Sequence, residues 1–178
     1  VGLEVDLIFN LLVKKYLNPI VRIAFISTFL VLIASAILIA QQKIVGKVIS
    51  IADGDTFTML VEGNKQVKIR LHGIDCPEKG QDYGDVAKKH LSSLLSLHDS
   101  VKVIWKSKDR YRRTIGIAYS GQININEALL QKGLAWHYIK YDKNSEWSQM
   151  EAAARNAKLN LWSKPNPVAP WKWREKRD

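Results

Sequence analysis

Two aspartates flank one glycine in "IADGDTFTML", residues 51–60, and β-forming residues lie on both sides. Asp53-Gly54 between such runs predicts a tight hairpin turn, with Gly54 supplying a positive φ. One aspartate is enough for a turn, which leaves Asp55, at the start of the returning strand, for other chemistry. Further on, "IRLHGIDCPEKG" brings Arg70, Asp75 and Glu78 within nine positions, at a strand end and in a Pro-containing turn. "KDRYRRTIGIAY" follows later. Asp and Glu carboxylates are hard oxygen ligands of the kind that bind Ca²⁺ or Mg²⁺. Arginines beside such a group suit a phosphate. A metal that polarises a phosphoryl oxygen, a carboxylate that activates water and guanidinium groups that hold the growing charge together make phosphodiester-cleaving chemistry. An EF-hand is excluded. A loop begun at Asp53 puts Thr58 where glycine is needed and Asn64 where the bidentate glutamate belongs.

The elements that must position these groups are legible from periodicity. "KIVGKVISI", "TFTMLV" and "VKIRLHGI" read as three short strands, and "VKVIWKS" and "TIGIAYS" as two more. After the third strand, Ala87, Leu91, Leu94 and Leu95 have helical spacing, with Asp82 or Asp85 able to cap. "ININEALLQKG" predicts a short helix capped by Asn124 and stopped by Gly133. "NSEWSQMEAAARNAK" predicts another, with Trp147, Met150, Ala154 and Ala157 on one face. Five strands with a helix after the third resemble an OB-type barrel. The tail, "KPNPVAPWKWREKRD", residues 164–178, reads as an extended strap on the domain surface or as a frayed end.

Composition narrows the function. Hydrophobic residues make up 47% of 178, against a disordered chain, and the net charge of +10 favours an anionic partner such as nucleic acid or an acidic membrane surface. Cys76 is the single cysteine, so neither an internal disulfide nor a cysteine-based zinc site is possible. The chain begins at Val1; a fragment and a literally translated non-AUG start both fit. Residues Ile23–Ala40 are uncharged and apolar apart from Ser27, Thr28 and Ser35. As a helix they reach about 27 Å, close to the hydrocarbon thickness of a bilayer. Lys14, Lys15 and Arg22 precede them, so residues 1–22 should stay cytoplasmic and the rest should lie outside, in the periplasm or the exterior. An uncleaved anchor is favoured over a signal peptide cut after the small residues near Ala36.

The motifs "DGDT", "IRLHGIDCPE", "DRYRR", "NEALLQKGLAW" and "AKLNLWS", in this order and spacing, resemble the staphylococcal nuclease (thermonuclease) family over roughly 43–163. The resemblance implies an α+β, mainly β fold: a five-stranded OB barrel with three helices, here preceded by the N-terminal helix. It implies Ca²⁺-dependent hydrolysis of DNA or RNA leaving 3′-phosphate ends. Asp55, Asp75 and the backbone carbonyl of Cys76 would be the metal ligands. Glu78 would be the general base, Arg70 and Arg113 would grip the scissile phosphate, and Tyr111 and Tyr141 would line the nucleotide site.

Two positions depart from the family pattern. Cys76 replaces threonine, and a free thiol there raises sensitivity to oxidation. Arg112 stands where glycine is usual, leaving two adjacent arginines. Arg113 shares a strand face with Ile115 and Ile117, and an inward-looking apolar face would select Arg113. Two other readings compete with an enzyme. One is an inactive module of the same fold that only binds nucleic acid or protein; the other is a plain OB-fold single-strand binder, which needs no Asp/Asp/Glu cluster.

Overall fold

The computed structural model describes residues 18–40, 43–95 and 100–176, the side chains of 33–40 excepted. The chain divides into two units, Val1–Gln41 and Gln42–Asp178. The first contains helix α1 (Pro19–Ala40) of 22 residues. Its side chains from Ile20 to Leu32 are largely exposed. The expected span Ile23–Ala40 falls within α1, but its last eight side chains and residues 1–17 lie outside the described residues. Among the described residues no helix is long and apolar enough to cross a membrane.

Alternating apolar residues build the second unit. Strands β1 (Lys43–Ile51), β2 (Thr56–Val61) and β3 (Lys65–Leu71) form an antiparallel meander. A two-residue strand β4 (Ile74–Asp75) and helix α2 (Gly84–Leu94) follow. Strand β5 (Ser100–Lys108) returns beside β1, and β6 (Thr114–Ser120) pairs with β5. Parallel pairing of β6 with β3 closes five strands into a barrel. The short β7 (Ile123–Asn124) leads into α3 (Ile125–Gln131). Then come β8 (Trp136–His137), which pairs with β4, α4 (Ser145–Asn156) and α5 (Pro170–Glu175). The tail is thus helical over Pro170–Glu175 rather than an extended strap throughout. Pro170 opens this helix, where its fixed φ suits the first turn and its missing N–H is not needed.

Val48, Phe57, Met59, Ile69, Leu71, Val101, Val103 and Ala118 are buried, and Leu91, Ile125, Leu129, Leu130 and Trp147 bring the helices onto them. Two sequence expectations change. Tyr83 in a left-handed conformation (φ 67°), not Asp82 or Asp85, precedes α2, with no side-chain cap. On α4, Glu151 is buried beside Trp147 and Ala154, where it pairs with Arg155, whereas Ala157 is exposed. Asn124 caps α3 as expected, its side chain accepting from the N–H groups of Asn126 and Glu127.

Candidate active site

The groups singled out in the sequence come from the first residues of β2, the end of β3, β4 and the loop after it. Asp53 makes the turn: its Oδ1 accepts the Asp55 N–H at 3.0 Å, and the Thr56 carbonyl accepts from Ala52 at 2.9 Å. Gly54 does not supply a positive φ, contrary to expectation. It is glycine for space, because a Cβ there would lie 2.7 Å from the Cβ atoms of both Ala87 and Cys76. This close approach presses the turn against the "DCPE" segment and α2.

Asp55 is thereby buried. Its Oδ2 accepts the Cys76 N–H at 2.7 Å and its Oδ1 the Thr56 hydroxyl at 3.1 Å. Arg70 lies across from it, because Thr56 and Arg70 are register partners in the β2–β3 ladder. Its Nη1 pairs with Asp55 and its Nη2 with Asp75, which is fully buried. Burial pushes the Asp55 carboxyl above its ordinary range, against the pull of Arg70. Burial works against the charge on Arg70 too, but Asp55 and Asp75 outweigh it and hold the guanidinium protonated. Glu78 sits on the rim, about one-third exposed, with its N–H donated to Gln81 Oε1 at 3.0 Å.

A second arginine completes the cluster. From α5, Arg174 Nη2 donates to Asp75 Oδ2 at 2.8 Å, and its Nη1 bonds Glu78 Oε1. The sequence reading of the tail as a strap or a frayed end assigns Arg174 no role. Its signal was the "PWKWR" spacing, which puts Trp171 and Arg174 three residues apart on one helix face.

The remaining expected residues make contacts of their own outside this cluster. Arg113 is fixed by Asp109, whose Oδ1 accepts the Arg113 N–H at 2.9 Å and whose Oδ2 accepts from its Nε at 2.6 Å. Thr114 and Ile69 are register partners, as are Ile115 and Arg70, so alternation puts Arg113 on the sheet face of Arg70. The inward face of β6 is not the isoleucine face expected from the sequence. Thr114, Gly116 and Ala118 point into the barrel, and Ile115 and Ile117 are half-buried. Small residues face inward here because the strands are tight: a Cβ on Gly116 would meet Val103 Cγ1 at 2.5 Å. Arg112 is exposed at φ 61°, a left-handed conformation that explains why glycine suits the position.

Tyr111 and Tyr141 are exposed. The guanidinium groups of Arg110 and Arg113 lie over the Tyr111 ring, and Tyr141 packs edge-on to Tyr138. Cys76 is buried, its Sγ donating to the Gly54 carbonyl at 3.3 Å. Burial, and then Asp55, push the thiol well above its ordinary pKa. A buried, protonated thiol is unreactive, so the expected oxidation sensitivity does not follow.

Among the described residues no group of three or more His, Cys, Asp or Glu side chains could hold a metal ion. The donors at the Asp55–Asp75 pair nonetheless fit a hard cation better than a soft one. Both buried carboxylates pair with Arg70, Asp75 also with Arg174, and burial works against the Asp55 charge. Any further ligands would be backbone carbonyl or water oxygens.

Residues 68–164 match the model of the family described as "Staphylococcal nuclease homologue". The chain is a member of the staphylococcal nuclease family. It is 42% identical over 141 residues to the micrococcal nuclease of Shigella flexneri, covering 72% of this chain and 79% of that protein. It is 39% identical over 135 residues to an uncharacterized endonuclease of Haemophilus influenzae, covering 76% of this chain and 75% of that protein. The staphylococcal-like nuclease CAN1 of Arabidopsis thaliana is 40% identical over 113 residues, 64% of this chain and 35% of that protein. The match to the staphylococcal nuclease family includes Arg70, Asp75, Glu78 and Arg113, whereas Asp55 precedes it and Arg174 follows it.

Proposed function

We propose that this protein is a Ca²⁺-dependent nuclease that hydrolyses phosphodiester bonds of DNA, RNA or both. The observation that carries the reading is the single cluster of Asp55, Arg70, Asp75 and Glu78 at the barrel rim. The names of the relatives, an endonuclease and two nucleases, point the same way. Asp55, Asp75 and the Cys76 carbonyl would hold Ca²⁺, which supplies positive charge to a phosphoryl oxygen. Glu78, on the rim and open to water, takes a proton from the attacking water. Arg70 and Arg113 hold the scissile phosphate and offset the charge that grows on it. Tyr111 and Tyr141 offer exposed rings to the nucleotide. The products are 3′-phosphate and 5′-hydroxyl ends.

Incubation of denatured DNA and of RNA with Ca²⁺ and with chelator, followed by end-group analysis, tests this. Cleavage only with Ca²⁺, leaving 3′-phosphates, is expected; intact nucleic acid in both lanes from folded protein refutes it and favours a binding module. Placement outside the cytoplasm, through an N-terminal membrane anchor, follows from the charge asymmetry around Ile23–Ala40 alone. Protease added to spheroplasts should digest the domain, and protection until lysis refutes that placement.

A further inference from the structure

The C-terminal helix reaches the candidate site from 96 to 99 residues away in sequence. Three contacts bring it there. Trp171 stacks on Tyr138 with ring centroids 4.7 Å apart and packs edge-on to Trp136 at 5.6 Å. Trp136 is the register partner of Asp75 in the β4–β8 pair, so this anchor lies next to the buried carboxylate. Gln81, itself buried, donates its Nε2 to the Val168 carbonyl at 2.7 Å while its Oε1 accepts the Glu78 N–H. The tail therefore holds the Glu78 backbone through Gln81 and the Glu78 side chain through Arg174.

The guanidinium of Arg174 spans two carboxylates. Nη2 donates to Asp75 Oδ2 at 2.8 Å, and Nη1 approaches Asp75 Oδ1 at 3.3 Å while bonding Glu78 Oε1. Arg70 also holds Asp75, through Oδ1. A planar fork of this kind fixes the orientation of both acids, which a lysine point charge does not. Glu78 lies in a loop and is one-third exposed, so without this contact its side chain has several rotamers open to it. A general base must lie within hydrogen-bond reach of the water it activates, and small displacements are costly in rate.

We infer that Arg174 is a positioning residue of this nuclease: from α5 it clamps Glu78 against Asp75, so that the site is incomplete without the C-terminal helix. The inference rests on the nuclease reading above. It predicts that a segment beyond the family match is part of the working site.

The test uses the full chain. Arg174→Ala should lower kcat by roughly 10- to 100-fold, the usual loss when a partner orienting an active-site ligand is removed, with KM within about twofold. Arg174→Lys should recover part of the rate, and millimolar guanidinium should accelerate Arg174→Ala but not the wild type, relative to equal NaCl. Lys172→Ala, which removes an exposed charge from the same helix, should behave as wild type. A readout independent of activity is a double-mutant cycle on unfolding with Arg174→Gln and Glu78→Gln. Their combined effect on the unfolding equilibrium constant should fall short of the product by on the order of threefold or more.

Absence of that coupling overturns the inference, as does wild-type kcat in Arg174→Ala. A raised kcat also overturns it, because the helix would then be a competitor for the site. A change confined to KM makes Arg174 a substrate contact instead, and refutes positioning. A wild type that cleaves nothing refutes the nuclease reading and this inference with it; an active wild type with an equally active Arg174→Ala refutes this inference alone.

Discussion

Replacing Arg70 with alanine removes one guanidinium from two buried carboxylates. The side chains of Asp55 and Asp75 are 7% and 1% exposed, so neither can recover full hydration. Breaking a buried ion pair from one side costs about 3–5 kcal/mol, because a desolvated charge loses its partner. Two features place the expected loss near the lower end, about 3 kcal/mol. Asp55 keeps the Cys76 N–H and the Thr56 hydroxyl, and Asp75 keeps Arg174. For a folding unit the size of Gln42–Asp178, that corresponds to a fall in Tm of roughly 10 °C in chelator. Ca²⁺ should reverse much of it. A ligand at one hundred times its Kd stabilises the folded state by about 2.7 kcal/mol. In the variant that cation also replaces the charge Arg70 no longer brings, so the Ca²⁺-induced rise in Tm should exceed that of wild type. Thermal unfolding followed by circular dichroism, with Ca²⁺ and with chelator, measures both. A chelator Tm within about 2 °C of wild type would show that the carboxylates do not depend on Arg70. A Ca²⁺ response no larger than wild type would mean that Ca²⁺ binds elsewhere.

Arg113→Ala should lower kcat more than it raises KM, whereas Arg112→Gly should leave kcat unchanged and add up to about 1 kcal/mol of stability, since glycine adopts φ 61° without a Cβ clash; steady-state kinetics showing the reverse pattern would reassign the phosphate grip. Gly54→Ala should destabilise by about 1–3 kcal/mol in urea unfolding through contact with Ala87 and Cys76, and an unchanged midpoint would show that the turn has room to give. Asp142 links His72 and His137, and although burial acts to raise its pKa, the Asn144 N–H and the two imidazoles lower it below the ordinary 3.8. Its contribution is therefore present above the unfolded pKa and lost as pH falls through the folded one. Wild type should lose more stability than Asp142→Asn between pH 6 and 3, and parallel losses would count against the network.

The barrel strands were legible because their alternation and β-branched content are local signals, and Asn124 announced its helix by the capping rule alone. Gly54 shows where local reading stops. Asp-Gly is a turn signal whether glycine is needed for φ or for space, and only the approach of Cys76 and Ala87, distant in sequence, decides between them. The face of β6 was misread for the same reason. Isoleucine looks like core by itself, but the barrel interior at Thr114, Gly116 and Ala118 is too tight for it. Asp55 stands out in sequence because the turn needs only one aspartate, and Arg70, Asp75 and Glu78 because they lie within nine positions at a strand end and in a turn; the structure brings all four together. Arg174 was missed because nothing near it in sequence is acidic in the right geometry; its partners lie across the whole domain.

Asp75 is the hub of the cluster, and this ranks the arginines in a way that mutation can read. It is fully buried, anchored by β4–β8 pairing, and bound by the guanidinium groups of Arg70 and Arg174. Arg70 is largely buried, so its loss costs stability through uncompensated charge in addition to the phosphate grip proposed for it. Arg174 is 41% exposed and its Glu78 partner 33%, so solvent screens that half of the bridge to about 1 kcal/mol or less. The catalytic effect does not follow the same order. A general base that swings away loses rate whether or not the fold notices, because orientation enters the barrier while screening enters only the ground state. Arg70→Ala should therefore be the less stable variant by a clear margin, while Arg174→Ala should combine a near-native melting temperature with a large loss of kcat. Proportional losses of stability and rate in both variants would mean that the two arginines act only through the fold, and the division of labour drawn from their burial would be wrong.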